Sequence, residues 1–150
     1  MAIQISVVGS GAEHERRAET VGRLLAKQGA TVVTGGLGEV MAAAARGAKS
    51  EGGTTVGILP GESRDGANQW LDHVVVTGIG HARNLAVVAS GDAVIAVGGR
   101  YGTLAEIGLA LTLGRQVVIL EPGFEVDGAQ RAATPEQAVE FALAAARRSG

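Results

Sequence analysis

Residues 93–111 run Ala-Val-Ile-Ala-Val, then Gly98-Gly99-Arg100-Tyr101-Gly102-Thr103, then a segment with Leu104, Ile107, Ala110 and Leu111 at intervals of three and four. Five apolar, partly β-branched residues predict a buried strand, and the intervals after the turn predict a helix packed on one face. A helix that opens straight out of a glycine turn presents unpaired backbone N–H groups and the positive end of its dipole. Missing Cβ atoms let an anion approach those groups, so Gly98, Gly99, Arg100, Tyr101, Gly102 and Thr103 are expected to cradle a phosphate. Arg100 takes a secondary part, because it stands at the variable position of the turn. Thr103-Leu104-Ala105-Glu106 also fits a capping box, in which Thr103 and Glu106 would only finish the helix start. Both readings are open at this point.

The same grammar recurs along the chain. Residues 3–8 form an apolar run ending in Gly9-Ser10-Gly11, and the segment to Gln28 carries Ala18, Val21, Leu24 and Leu25 on one helical stripe. Residues 31–34 predict a strand, Gly35-Gly36-Leu37-Gly38 a second glycine turn, and residues 39–50 an alanine-rich helix. A third strand is expected at 54–59, followed by a polar loop at 60–72 that is long enough to be a lid or binding loop. Residues 73–77 suit a further strand, with Gly78 and Gly80 leading to a helix that holds Arg83, Asn84, Leu85 and Val88. Residues 116–120 give the last strand and 121–133 a loop; Thr134-Pro135-Glu136-Gln137 then caps the closing helix. Strands alternating with helices predict an α/β protein with a single doubly wound, mainly parallel sheet and helices on both faces, as one Rossmann-like domain over 1–150.

In such a sheet, ligands bind beyond the carboxyl ends of the strands where strand order reverses. If strands 3–8 and 93–97 are neighbours there, then Gly9, Ser10 and Gly11, Gly35 and Gly36, and residues 98–103 converge on one crevice.

Hydrophobic residues make up 46% of the chain and charged residues 19%, which suits one well-buried core. The net charge is −2 and aromatics are 3%, so neither the electrostatic footprint nor the stacking platform of a nucleic-acid binder is present. Cysteine is absent, which excludes disulfides, thiol chemistry and Cys-ligated zinc. Residues 1–5 lack the basic and long apolar parts of a signal peptide, and no apolar run approaches the ~18 residues of a membrane span; a cytoplasmic protein is expected. His14, His73 and His81 show no ligand spacing, so no metal site is assigned.

The first turn, Gly9-Ser10-Gly11-Ala12-Glu13-His14, has His in place of the third glycine of a dinucleotide fingerprint, and the second strand ends in Thr34 and Gly35 rather than in an acid. No Gly-Lys-Ser/Thr occurs, so a P-loop is absent too. Pyridoxal phosphate chemistry needs a Schiff-base lysine, and neither Lys27 nor Lys49 stands beside a glycine turn.

Gly98-Gly99-Arg100-Tyr101-Gly102-Thr103-Leu104-Ala105-Glu106 resembles the P-G-G-x-G-T-x-x-E signature of the LOG proteins, the cytokinin riboside 5′-monophosphate phosphoribohydrolases. Thr34-Gly35-Gly36-Leu37-Gly38-Glu39-Val40-Met41 is similar to their second glycine loop, and Gly57-Ile58-Leu59-Pro60 to the strand that follows. The likeness covers most of the chain and is closest to the small branch that includes the molybdenum cofactor carrier protein. Val97 stands where the enzymes have the signature's proline, and Ala82-Arg83-Asn84 replaces their Arg-Lys pair.

The resemblance implies a catalytic pair at Arg83 and Glu106, with phosphate or nucleotide contacts from the three glycine turns and Met41. Glu106 would then stabilise positive charge at the ribose C1′ while Arg83 orients sugar and phosphate, giving N-glycosidic hydrolysis of a nucleoside 5′-monophosphate. The alternative it implies is a carrier that holds a phosphorylated ligand such as molybdopterin without turnover. On either reading no cofactor is required, the bound species is a nucleotide monophosphate or molybdopterin-type ligand, and the protein is a homo-oligomer, dimer or tetramer.

Overall fold

Strand Ala93–Gly98 (β5) is buried along its whole length and pairs in parallel with Gln4–Ser10 (β1) on one side and Gln116–Leu120 (β6) on the other. Beyond β1 lie Thr31–Thr34 (β2), Thr55–Leu59 (β3) and His73–Val76 (β4), and beyond β6 lies Gln130–Ala132 (β7). The computed structural model describes residues 1–149; Gly150, the last residue of the expected domain, lies outside them. Within these residues the sheet has seven strands in the order β4-β3-β2-β1-β5-β6-β7, and every pairing is parallel. The doubly wound sheet read from the sequence is therefore present, and its order reverses between β1 and β5.

The pleat of β5 sorts its side chains to two cores. Ala93, Ile95 and Val97 face helices Glu15–Lys27 (α1), Val40–Ser50 (α2) and Pro135–Ser149 (α5), meeting Ala18, Val21, Ala44 and Ala142. Val94 and Ala96 face helices Arg83–Ser90 (α3) and Tyr101–Thr112 (α4), meeting Val87, Val88, Ile107 and Ala110. Ile95 is fully buried, which stabilises the fold by about 1.5–3 kcal/mol over an exposed side chain.

Several boundaries differ from the sequence expectation. β1 continues through Gly9 and Ser10, because both pair with β5. Residues 121–133 are not loop throughout: β7 joins the sheet edge, held by Arg131, whose Nε donates to Glu121 Oε1 at 2.9 Å and whose Nη1 donates to the Phe124 carbonyl at 2.7 Å. Only Ala132 of this strand is buried, so it carries no apolar alternation to read. At the start of α5, Thr134 Oγ1 accepts from the Gln137 N–H at 3.1 Å, while Gln137 Oε1 reaches back to the Ala133 N–H at 2.7 Å.

The loop at 60–72 is pinned at its far end. Asn68 donates its backbone N–H to the Gly36 carbonyl and its Nδ2 to the Leu37 carbonyl, each at 2.9 Å. Asp72 closes the loop with Lys49 Nζ at 2.8 Å and the Thr55 N–H at 2.9 Å. Among the described residues no helix is long and apolar enough to cross a membrane.

Candidate functional site

The strand order reverses at β1 and β5, and a cleft of about 190 Å³ opens there at the carboxyl end of the sheet. Its floor is Val7, Val8, Gly9 and Ser10 of β1; Gly35 and Met41 close one side, and Arg100, Gly102, Thr103 and Glu106 the other. His81, Arg83 and Asn84 complete the wall. Three glycine turns thus reach one place.

The third turn delivers α4 earlier than a capping box would. Arg100 is the N-cap residue and carries no side-chain cap, and the first intrahelical bond runs from the Leu104 N–H to the Arg100 carbonyl at 3.0 Å. The N–H groups of Tyr101, Gly102 and Thr103 therefore have no partner within the helix. Thr103 stands in the third position of the helix instead of at its cap, so Thr103 and Glu106 do not form the box that their spacing also allowed. Both residues line the cleft, with the Thr103 side chain packed against Gly99. Gly98 adopts φ +60°, and a Cβ there would lie 2.1 Å from the His14 ring, so no larger residue fits.

Arg83 opens α3 with its guanidinium laid against Gly35, where a Cβ would come within 2.9 Å of its Cζ. Its Nη1 donates to Asn84 Oδ1, but its Nε is buried and unpartnered, alone in this among the buried side-chain polar atoms of the described residues. Burial lowers its pKa and the neighbouring Glu106 charge opposes that shift; a guanidinium stays protonated regardless. Glu106 is pushed up to about 7, first by burial, with the Arg83 charge pulling the other way. Among the described residues the two groups make no direct ion pair. They face the same cleft, and each carries electrostatic cost that a ligand group could relieve.

Of the residues singled out in the sequence, Gly9, Ser10, Gly35, Met41, Arg83, Arg100, Gly102, Thr103 and Glu106 line the cleft. Gly11, Gly36, Gly98, Gly99 and Tyr101 do not. Gly36 is buried beneath Leu59, Gly98 and Gly99 form the turn behind the helix start, and Tyr101 points outward at 86% exposure. His81 and Asn84 line the cleft without having been marked as site residues. Their signal was adjacency to Arg83: a short 3-10 turn at Gly80–Ala82 runs directly into α3 and presents all three together. Among the described residues no group of three His, Asp or Glu side chains is placed to hold a metal ion.

The fold recurs closely elsewhere. The molybdenum cofactor binding protein of the phototrophic bacterium Rippkaea orientalis superposes with a TM-score of 0.90 at 32% identity, over 96% of this chain and 97% of that one. The molybdenum cofactor carrier protein of Chlamydomonas reinhardtii gives 0.88 at 30% identity, over 97% and 98%. An uncharacterized protein of Archaeoglobus fulgidus is 45% identical over 144 residues, covering 94% of this chain and 95% of its own. The model of the SLOG cluster4 family matches residues 2–147, and the chain belongs to that family.

Proposed function

We propose that this chain is a binding and carrier protein for a small phosphorylated ligand of molybdopterin type, held as cargo in the cleft between β1 and β5, in one domain and in the cytoplasm. The observation that carries the reading is the state of Arg83: a half-buried, charged guanidinium whose buried Nε has no partner, on a residue that lines the same cleft as Gly102 and Thr103 at the start of α4. A phosphate on those N–H groups, with Arg83 on the rest of the ligand, would satisfy both at once. Likeness to molybdenum cofactor binding and carrier proteins over nearly the full length supports the choice of cargo.

Hydrolysis of a nucleoside 5′-monophosphate by Arg83 and Glu106 is the second reading, favoured by the freedom of Glu106 from any capping duty. Its weakness is the protonation of that group. Stabilising an oxocarbenium-like ribose needs a full carboxylate charge, and a carboxyl pushed up to about 7 is half neutral at neutral pH. As a neutral carboxyl, Glu106 instead donates a hydrogen bond to a ligand acceptor, a binding role.

Self-association is part of the proposal, as a dimer or tetramer. α4 is apolar on most of its outer face as well as its inner one, and Leu104 and neighbouring Leu85 of α3 stay 36% and 45% exposed beside the cleft. A helix apolar all round is one that is covered on both sides. Leu104→Glu is expected to leave a folded monomer in sedimentation.

The test is mass spectrometry of the small molecule that copurifies with the protein. A phosphorylated pterin bound to wild type and lost in Gly102→Val supports the carrier. Release of free base from nucleoside monophosphates that collapses in both Arg83→Ala and Glu106→Gln would transfer the assignment to the hydrolase.

A further inference from the structure

Among the described residues, Glu39 is the single residue other than glycine with positive φ, at φ 56° and ψ −124°. That conformation is open to glycine and strained for any side chain. Gly38 stands next to it, yet the chain carries a glutamate at the strained position. Its side chain crosses to the first glycine turn, where Oε2 accepts the backbone N–H of Gly11 at 2.7 Å.

That donor has a particular place in the fold. Gly11 ends the turn after β1, and in an open parallel sheet the amides at this point receive the pyrophosphate of a dinucleotide. Here a carboxylate of the chain itself takes the donor. Ser10 is the register partner of Gly98, so the Gly11 donor that Glu39 occupies follows a backbone about one strand spacing from the turn that leads into α4. The cleft follows β1 through Gly9 and Ser10 and stops short of Gly11.

We propose that Glu39 is a built-in anion that closes the first glycine turn to phosphate. The cleft then takes a ligand with one phosphomonoester, at the third turn, and rejects a ligand whose pyrophosphate would reach both turns. Two effects act together: the Gly11 donor is already satisfied, and the carboxylate repels a second phosphate brought beside it. Glu39 is a specificity determinant in this account and touches no reacting atom. The inference rests on the reading of the third turn as the phosphate site.

Amide NMR of the full chain separates the two claims, with inorganic phosphate and inorganic pyrophosphate as probes. In wild type both anions are expected to move the Gly102 and Thr103 amides and to leave the Gly11 amide in place. Glu39→Gln keeps an oxygen acceptor and removes the charge; Glu39→Gly removes the side chain and relieves the strained φ. In both variants pyrophosphate is expected to move Gly11 as well and to bind about tenfold tighter, with phosphate affinity unchanged. A loop brace alone would alter the two anions equally. Movement of Gly11 by either anion in wild type, or an unchanged pyrophosphate-to-phosphate ratio in both variants, overturns the assignment of Glu39 while leaving the third turn as the phosphate site. Silence of Gly102 and Thr103 toward phosphate in wild type overturns the phosphate site itself and this inference with it.

Discussion

Two pairs of opposite charge occupy this molecule under opposite terms. Lys49 and Asp72 meet at 2.8 Å at the start of β3, where Asp72 also accepts from the Thr55 N–H. Burial pushes the Asp72 carboxyl up, but the Lys49 and Thr55 bonds outweigh it and its pKa ends lower than usual. Arg83 and Glu106 share a cleft without pairing; the Arg83 Nε has no partner, and the Glu106 carboxyl is raised to about 7. The first pair is closed on itself and locks a loop. The second is held by the sheet and its helices in a state that each group alone would avoid, and such residues are preorganised for something other than the fold.

Substitution should separate the pairs most sharply at Arg83. Arg83→Met is expected to weaken a phosphate-bearing ligand by about a hundredfold or more, the loss of charge-assisted bonds from a fixed fork. Its melting temperature should hold or rise, because a buried donor without a partner is removed. Lys49→Met should do the reverse, leaving affinity intact and lowering the melting temperature. Calorimetric titration beside thermal melts checks both, and a fall in stability for Arg83→Met would place it with the structural pair.

Glu106 gives the next largest effect, with a definite pH sign. Its folded pKa of about 7 lies above the ordinary value of 4.5, so the folded protein holds this proton more tightly than the unfolded chain. Stability from this group is greatest below the unfolded value and is lost as pH rises from there through the folded value. Glu106→Gln should therefore stabilise the protein at pH 8 by up to about 3 kcal/mol, and hardly at all near pH 4. Denaturant melts across this range test it; a pH-independent difference would mean that Glu106 is solvated or paired.

The Lys49–Asp72 pair yields the smallest effect, in the opposite direction of pH. With its folded pKa lowered, Asp72 contributes stability that is present above its unfolded value and disappears as pH falls through the folded one. Both side chains are about one-third exposed, so solvent screening holds the contribution of the pair to about 1 kcal/mol or less. Asp72→Asn should cost about that at pH 7 and nothing near pH 2, read again from denaturant midpoints.

The same contrast explains what was legible before the structure. Strand, glycine turn and helix at 93–111 announce themselves by composition and period, and the parallel sheet and the meeting of three turns follow from repeating that unit. β7 was not legible, because Arg131 is tied down by specific polar bonds and the strand carries no apolar stripe. At the start of α4 the sequence leaves a capping box at Thr103 and a phosphate turn both open, because the spacing of Thr103 and Glu106 does not show that the helix already begins at Tyr101, before any residue able to cap it. His81 enters the cleft from the 3-10 turn and Asn84 from the first turn of α3, and neither polar residue has a periodic signature. The strained φ of Glu39 is invisible in sequence for a plainer reason: positive φ is read from glycine, and a glutamate gives no sign of it.

A crystal structure of the protein bearing its copurified or soaked phosphorylated ligand tests the central claim most directly. The account predicts the phosphate against the N–H groups of Gly102 and Thr103, with the Arg83 guanidinium and the Glu106 carboxyl both in hydrogen-bond contact with the ligand. A phosphate bound at Gly11, or a ligand seated away from β1 and β5 with Arg83 Nε still unpartnered, would contradict it.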